Sequence, residues 1–242
     1  MSDPVVQPIE QLARALSWAA CALLLYGATR WLLAQPVFAL HTVEVAAPVG
    51  HVTDAQVRLV ADRYVRGNFF TVDLDQVQQA FEKLPWVREA RVTRRWPDVL
   101  VVHFVEHVPL ARWNDASLVN QQGEVFDAAC DSKLPQLEGP ATTSQEVVQH
   151  YLAYRSALAA VGRRIGDLQL SPRRAWRMTL DDGTRLVLGR NDADARLTRF
   201  VRIYPELFAD PEARPQTVDL RYADGMAVRY APSARAPAKT PS

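Results

Sequence analysis

"LPWVREARVTRRWPDVLVVHFVEH", Leu84 to His107, packs four arginines, two tryptophans, two histidines and a run of valines into 24 residues. Three readings compete for it: a basic, aromatic surface for nucleic acid, a metal or phosphatase site, and a β-hairpin with charged edges. Val87 to Arg95 and Val99 to Glu106 read as two strands, and Pro97 with Asp98 suits the tight turn between them. His103, Glu106 and His107 spell H-x-x-E-H, a zinc-peptidase pattern that needs a helix to bring its histidines together. Along a strand the two rings stand roughly 13 Å apart, at ~3.3 Å per residue, and zinc–nitrogen bonds of about 2 Å cannot bridge that gap. Trp96-Pro97-Asp98 resembles a phosphatase loop, but the matching Cys-x5-Arg cradle is missing: Gln136 stands six positions after Cys130, and Gly27 six after Cys21. Arg88, Arg91, Arg94 and Arg95 have Glu82, Glu89 and Asp98 among them, as befits a solvated strand edge. The hairpin is the reading that remains.

The whole chain agrees. Its 28 basic and 27 acidic residues in 242 lack the basic excess of a nucleic-acid binder. Two cysteines, Cys21 and Cys130, make neither a disulfide framework nor a metal knuckle. There is no GxSxG, Walker loop or GxGxxG, and the ten glycines are scattered. No residue is therefore assigned a catalytic, cofactor-binding or metal-binding role. A membrane-anchored periplasmic hydrolase is the alternative that this leaves without a nucleophile.

Upstream, Leu12 to Ala34 is apolar apart from Arg14 and Arg30. As a helix, the separation of those arginines spans roughly 24 Å at about 1.5 Å per residue. Snorkelling side chains extend that toward a hydrocarbon core of ~30 Å, and Trp18, Tyr26 and Trp31 lie near the ends. A cleaved signal peptide fits less well, because the segment before Leu12 carries Asp3 and Glu10 and no base, and no small-x-small site follows. The expectation is an uncleaved transmembrane helix over residues 12–34 behind a cytoplasmic tail, residues 1–11. Between anchor and hairpin, residues 38–107 read as β-α-α-β-β. Thr53 with Gln56 and Asp73 with Gln76 open the two helices, and Val57, Val60 and Tyr64, then Leu74, Val77, Phe81 and Leu84, keep helical spacing.

Downstream, residues 108–230 read as a mixed β-domain with helices packed on it, so the fold class is α+β. Thr143 with Glu146 and then Asn191 are expected to cap its helices. "AWRMTLDDGTRLVLGR" and "TVDLRYADGMAVRY" read as hairpins turning at Gly183 and at Asp224-Gly225. Residues 231–242, rich in Ala, Pro, Ser and Lys, are expected to be disordered.

One strand order after one anchor, the wording of Leu84–Asn114, and "LVNQQGEVF", "RRAWRMTLDDGTRLVLGR", "RLTRFVRIYPEL" and "VDLRYADGMAVRYAP" together resemble the bacterial FtsQ/DivIB family. The likeness runs from the anchor to Pro232. It implies a POTRA domain over 38–107 and a single-pass inner-membrane protein, amino terminus cytoplasmic and remaining domains periplasmic. It further implies a non-enzymatic role at the division septum, linking early and late divisome proteins through the FtsB–FtsL pair, with no cofactor and no nucleic acid. In the family FtsB adds a strand to the end of the β-domain. Carried over, that site is Tyr222, Asp224, Gly225, Met226, Ala227, Val228 and Tyr230, with an arginine of the "RRAW" run, Arg173. Val92 and Arg94 match positions tied to recruitment by other divisome proteins. Two positions depart from the family: Tyr230 stands where some relatives have tryptophan, and Asp224 where serine can occur. Arg229 is the edge's one obvious gatekeeping charge. A POTRA-containing transport component is the other alternative; it would end in a long series of ~10-residue amphipathic strands, and this chain ends in a Pro/Ala tail.

Overall fold

A computed structural model describes residues 6–33, 39–40, 42–46, 50–208, 215–222 and 225–230. Two compact units emerge, Met1–Glu106 and His107–Ser242. The expected disordered tail and Asp224 lie outside the described residues.

The first unit opens with α1, Val6–Leu33, so the helix takes in part of the expected 1–11 tail. From Arg14 to Trp31 every side chain is exposed, including Leu16, Trp18, Leu23, Leu24, Leu25, Tyr26 and Trp31. Among the described residues no helix is long and apolar enough to cross a membrane. Arg14 and Arg30 bracket 15 uncharged residues of this helix, about 22 Å of its length.

Next come β1 (Thr42–Val45), α2 (Asp54–Tyr64), α3 (Leu74–Phe81), β2 (Val87–Arg95) and β3 (Val99–Glu106). The sheet order is β1-β3-β2, with β1 parallel and β2 antiparallel to β3. Alternation in the strands sends Ala90, Val92, Leu100 and Val102 into a core shared with Val57, Val60, Val77 and Phe81 of the helices. Both caps form: Thr53 and Gln56 make a reciprocal capping box, and the Asp73 carboxylate accepts from the Gln76 N–H. The break between the helices is built on Asn68, whose Oδ1 accepts from the N–H groups of Phe70 and Thr71.

The H-x-x-E-H residues are dispersed by the strand. His103 faces the open side of the sheet, whereas Glu106, three residues on, reaches the other side and the start of α2. There its carboxylate accepts from the main-chain N–H groups of Gly50 (3.1 Å), His51 (3.0 Å) and Val52 (3.0 Å). The His51 ring lies 3.2 Å from Oε2 and stacks on Trp86. Burial works to raise the Glu106 pKa, but the N–H groups of His51 and Val52, the His51 ring and the Gly50 N–H outweigh it and hold the carboxyl below its usual range. Losing charged acceptors for three donors should cost the first unit about 2 kcal/mol in Glu106→Ala. Because the folded value is depressed, the contribution is present above the unfolded pKa of about 4.3 and lost as pH falls through the folded value. Thermal unfolding of Glu106→Gln and wild type should therefore differ by a constant amount above about pH 5 and converge toward pH 3. A gap independent of pH would contradict this role.

In the second unit β4 (Pro109–Trp113), β5 (Ser117–Asn120) and β6 (Val125–Phe126) form a meander. β7 (Gln136–Glu138), α4 (Ser144–Ala159) and β8 (Ile165–Leu170) follow, then β9 (Trp176–Leu180), β10 (Arg185–Gly189), α5 (Ala193–Leu207), β11 (Pro215–Asp219) and β12 (Ala227–Tyr230). The nine strands make one sheet, β12-β11-β10-β9-β8-β7-β4-β5-β6. β7/β8 and β10/β11 are parallel neighbours, which require crossovers; α4 and α5 are those crossovers. Both pack on one face, where Val147, Tyr151 and Leu158 of α4 and Leu197, Phe200 and Tyr204 of α5 meet Leu168, Met178, Leu186 and Val218.

Two caps differ from expectation. Thr143 precedes α4 but its hydroxyl donates to the Pro140 carbonyl, and Glu146 pairs with Arg174. Gly139 leaves the room that the hydroxyl occupies, since an added Cβ there would sit 2.6 Å from Thr143 Oγ1. At α5 the cap position is Asp192, one residue after Asn191, in a left-handed conformation with no side-chain cap.

Candidate partner-binding edge

β12 is outermost in the sheet and pairs only with β11, Thr217 opposite Arg229, Val218 opposite Val228 and Asp219 opposite Ala227. The ladder beneath decides which way its main chain points. Leu220 N–H donates to the Val187 carbonyl, so Val218 and Leu220 direct their groups to β10, and Thr217 and Asp219 direct theirs to β12. Arg229 and Ala227 are then the hydrogen-bonded partners, and Val228 turns its N–H and C=O to the free edge.

Side chains alternate independently of this. Val228 and Met226 pack against the core on the helix-covered side; Ala227 and Arg229 are exposed on the opposite, open side. Tyr230 is exposed, and Tyr222, in the turn before β12, is 56% exposed. A Cβ added at Gly225 would meet nothing within 4 Å. Tyr222, Gly225, Met226, Ala227, Val228 and Tyr230 thus follow one another along a single rim.

The turn feeding β12 is held from α5. Arg199 donates to the Tyr222 carbonyl (2.9 Å) and more distantly to that of Leu220, and Arg196 donates to the Leu188 carbonyl (2.7 Å). Asp219 accepts from Arg221 Nη2 (2.6 Å); the Arg221 side chain, opposed by burial and helped by the Arg221 N–H, holds its carboxyl below the usual range. Reading the sequence missed Arg199, because its partners are carbonyls 21 and 23 residues away. The only signal was an arginine beside the buried Phe200.

Arg173 lies elsewhere, exposed in the turn between β8 and β9. Registers put that turn at the same end of the sheet as Tyr222, three strands across from β12 at β9, or about 14 Å at ~4.8 Å per strand. In the first unit β2 is an edge strand. Val92 on it is buried in the core, so its side chain is unavailable at the surface as it stands. Arg94 is exposed and donates to the Val72 carbonyl (2.8 Å), tying the hairpin to the loop before α3. Arg95 pairs with Glu44 across the open face.

Comparison with known proteins is specific. A family model described as "POTRA domain, FtsQ-type" matches residues 38–107, and one described as "Cell division protein FtsQ/DivIB, C-terminal" matches 111–221. The chain is 40% identical to the cell division protein FtsQ of Nitrosospira multiformis over 228 residues, 92% of this chain and 97% of that one. It is 41% identical to FtsQ of Xanthomonas campestris pv. campestris, covering 84% and 71%, and 37% identical to FtsQ of Bordetella pertussis, covering 93% and 91%. The chain belongs to the FtsQ/DivIB family of cell-division proteins. FtsQ/DivIB proteins are non-catalytic, which removes the hydrolase alternative. The transport alternative gives way to an FtsQ-type POTRA domain followed by the FtsQ/DivIB carboxy-terminal domain. Within the FtsQ/DivIB domain the matched range ends at Tyr-preceding Arg221, directly before the rim described above.

Proposed function

We propose that this chain is a divisome assembly protein that captures FtsB–FtsL in the periplasm by strand addition to β12, and so links early and late division proteins at the septum. The observation that carries the reading is the outward main chain of Val228 on an edge strand that nothing covers among the described residues. Such an edge is an aggregation hazard unless a partner normally pairs with it, and strand addition supplies affinity through the main chain and selectivity through alternate side chains. Val92 and Arg94 mark the POTRA hairpin as the contact region for other divisome proteins. Arg94 would act there directly, and Val92 by shaping the strand from within.

α1 anchors the chain in the inner membrane as a single pass. What supports this is the exposure of Leu16, Trp18, Leu23, Leu24, Leu25 and Trp31 along one helix, with Arg14 and Arg30 placed to snorkel at the two ends. Co-purification from membranes with the full-length chain as bait tests the partner: FtsB and FtsL should be retained together, and their absence would overturn the assignment. For topology, alkaline phosphatase fused after Ser242 should be active and a cytoplasm-dependent fluorescent protein at the same position dark; the reverse pattern would place the domains in the cytoplasm.

A further inference from the structure

The open face of the nine-stranded sheet carries a continuous cross-strand row. Arg229 stands opposite Thr217, Thr217 opposite Arg185, Arg185 opposite Thr179, and Thr179 opposite Asp167. With the next row and Arg221 these residues line a shallow depression of about 540 Å³. Its charges are sorted along the sheet. Arg229, Arg221, Arg185 and Arg177 lie on the side toward β12, while Asp167 and Glu138 lie on β8 and β7.

Asp219, on the neighbouring strand β11, is already engaged by Arg221. Among the described residues no carboxylate lies within ion-pairing distance of Arg229 or Arg185. Thr217 alone separates them along the row, so the two arginines occupy strand positions about 10 Å apart at ~4.8 Å per strand. A strand bonded to Val228 would put the side chains flanking its bonding residue on this open face, about 5 Å from Arg229 and Ala227. Its bonding residue would point to the other face, beside Val228 and Met226. A basic side chain next to Arg229 would meet Arg185 behind it with no intervening acid, and a carboxylate there would complete the row.

We propose that the β12 edge selects an acidic, amphipathic strand: a carboxylate side chain on the open face beside Arg229, and an apolar one on the opposite face beside Val228. This rests on the strand-addition reading above and adds which strand the edge accepts.

The test is the affinity of the full-length protein in nanodiscs for the soluble FtsB–FtsL pair, compared across Arg229→Glu, Arg229→Gln, Arg229→Lys, Arg185→Glu and Val228→Pro. Neutralising one exposed charge should weaken binding about threefold, and Arg229→Glu about tenfold or more, with Arg229→Lys near wild type. Arg185→Glu should fall between, and the salt dependence of binding should be shallower in Arg229→Gln. If Val228→Pro abolishes capture while Arg229→Glu stays within twofold of wild type, the charge selection is wrong and strand addition stands. If Val228→Pro binds like wild type, strand addition fails and the selection fails with it. Thermal unfolding of each variant separates these outcomes from misfolding, since Arg229 and Arg185 are exposed and make no ion pair with a described residue.

Discussion

Val228→Pro should reduce capture of FtsB–FtsL by about 30-fold or more while leaving the protein folded. The substitution removes one outward N–H, worth about 1 kcal/mol net, and leaves the partner's carbonyl unsatisfied for roughly 1–3 kcal/mol more. Together these amount to about 2–4 kcal/mol, and each 1.4 kcal/mol is a factor of about ten. The fold should survive, because proline is tolerated on an edge strand whose N–H faces solvent. Its cost is the partial packing of the valine on the core. Val228→Ala provides the comparison: it loses that packing, keeps the N–H, and should bind within a few-fold of wild type. Equal binding losses in both variants would mean that the side chain, and not the main chain, makes the contact. Gly225→Ala, in open space, should leave stability unchanged and serves as a folding control for the rim.

Gly123→Val should destabilise the second unit by about 3 kcal/mol or more, lowering its melting temperature by roughly 10–15 °C. Gly123 adopts a φ of +83°, which a branched residue tolerates poorly, and its Cβ would lie 2.4 Å from Gln145 Cα and 2.9 Å from Gln145 N. Left-handed strain contributes about 1–3 kcal/mol and forced overpacking a similar amount. Neither neighbour can step aside, since both are main chain in the first turn of α4. The turn is further locked by Asn120, whose Oδ1 accepts from the Gln122 and Glu124 N–H groups, and by the Ser144 hydroxyl, which donates to the Gly123 carbonyl. Partner capture should fall only in proportion to the unfolded fraction. A variant with a wild-type melting temperature would show that the β5–β6 turn is free to move off α4.

Much of this architecture can be read from local pattern. The hairpin Val87–Glu106 is specified by two β-branched runs around Pro97 and Asp98, and its strands end where that pattern ends. Thr53, Gln56 and Asp73 cap their helices because a cap needs only a side chain and an N–H two or three residues away. Thr143 and Asn191 carry the same signal and fail. At Thr143 the hydroxyl is taken by the Pro140 carbonyl, and α5 starts after Asp192 instead. Those are facts of packing, invisible to a local pattern. The same limit explains Val92, which reads as a strand residue without revealing that its side chain is core.

The sequence by itself determined that the first domain is β-α-α-β-β, that His103 and Glu106 fall on a strand, and that a short strand follows Gly225. Periodicity, turn residues and caps act over a few positions, so they survive without coordinates. The tertiary structure alone decided that this last strand is an edge, that Val228 turns its main chain outward, and that Arg199 grips the preceding turn. It alone showed Glu106 to be the acceptor for the loop before α2. Each of those depends on which strands become neighbours and on bonds spanning 21 to 56 residues. Only burial of a common core brings such distant groups together.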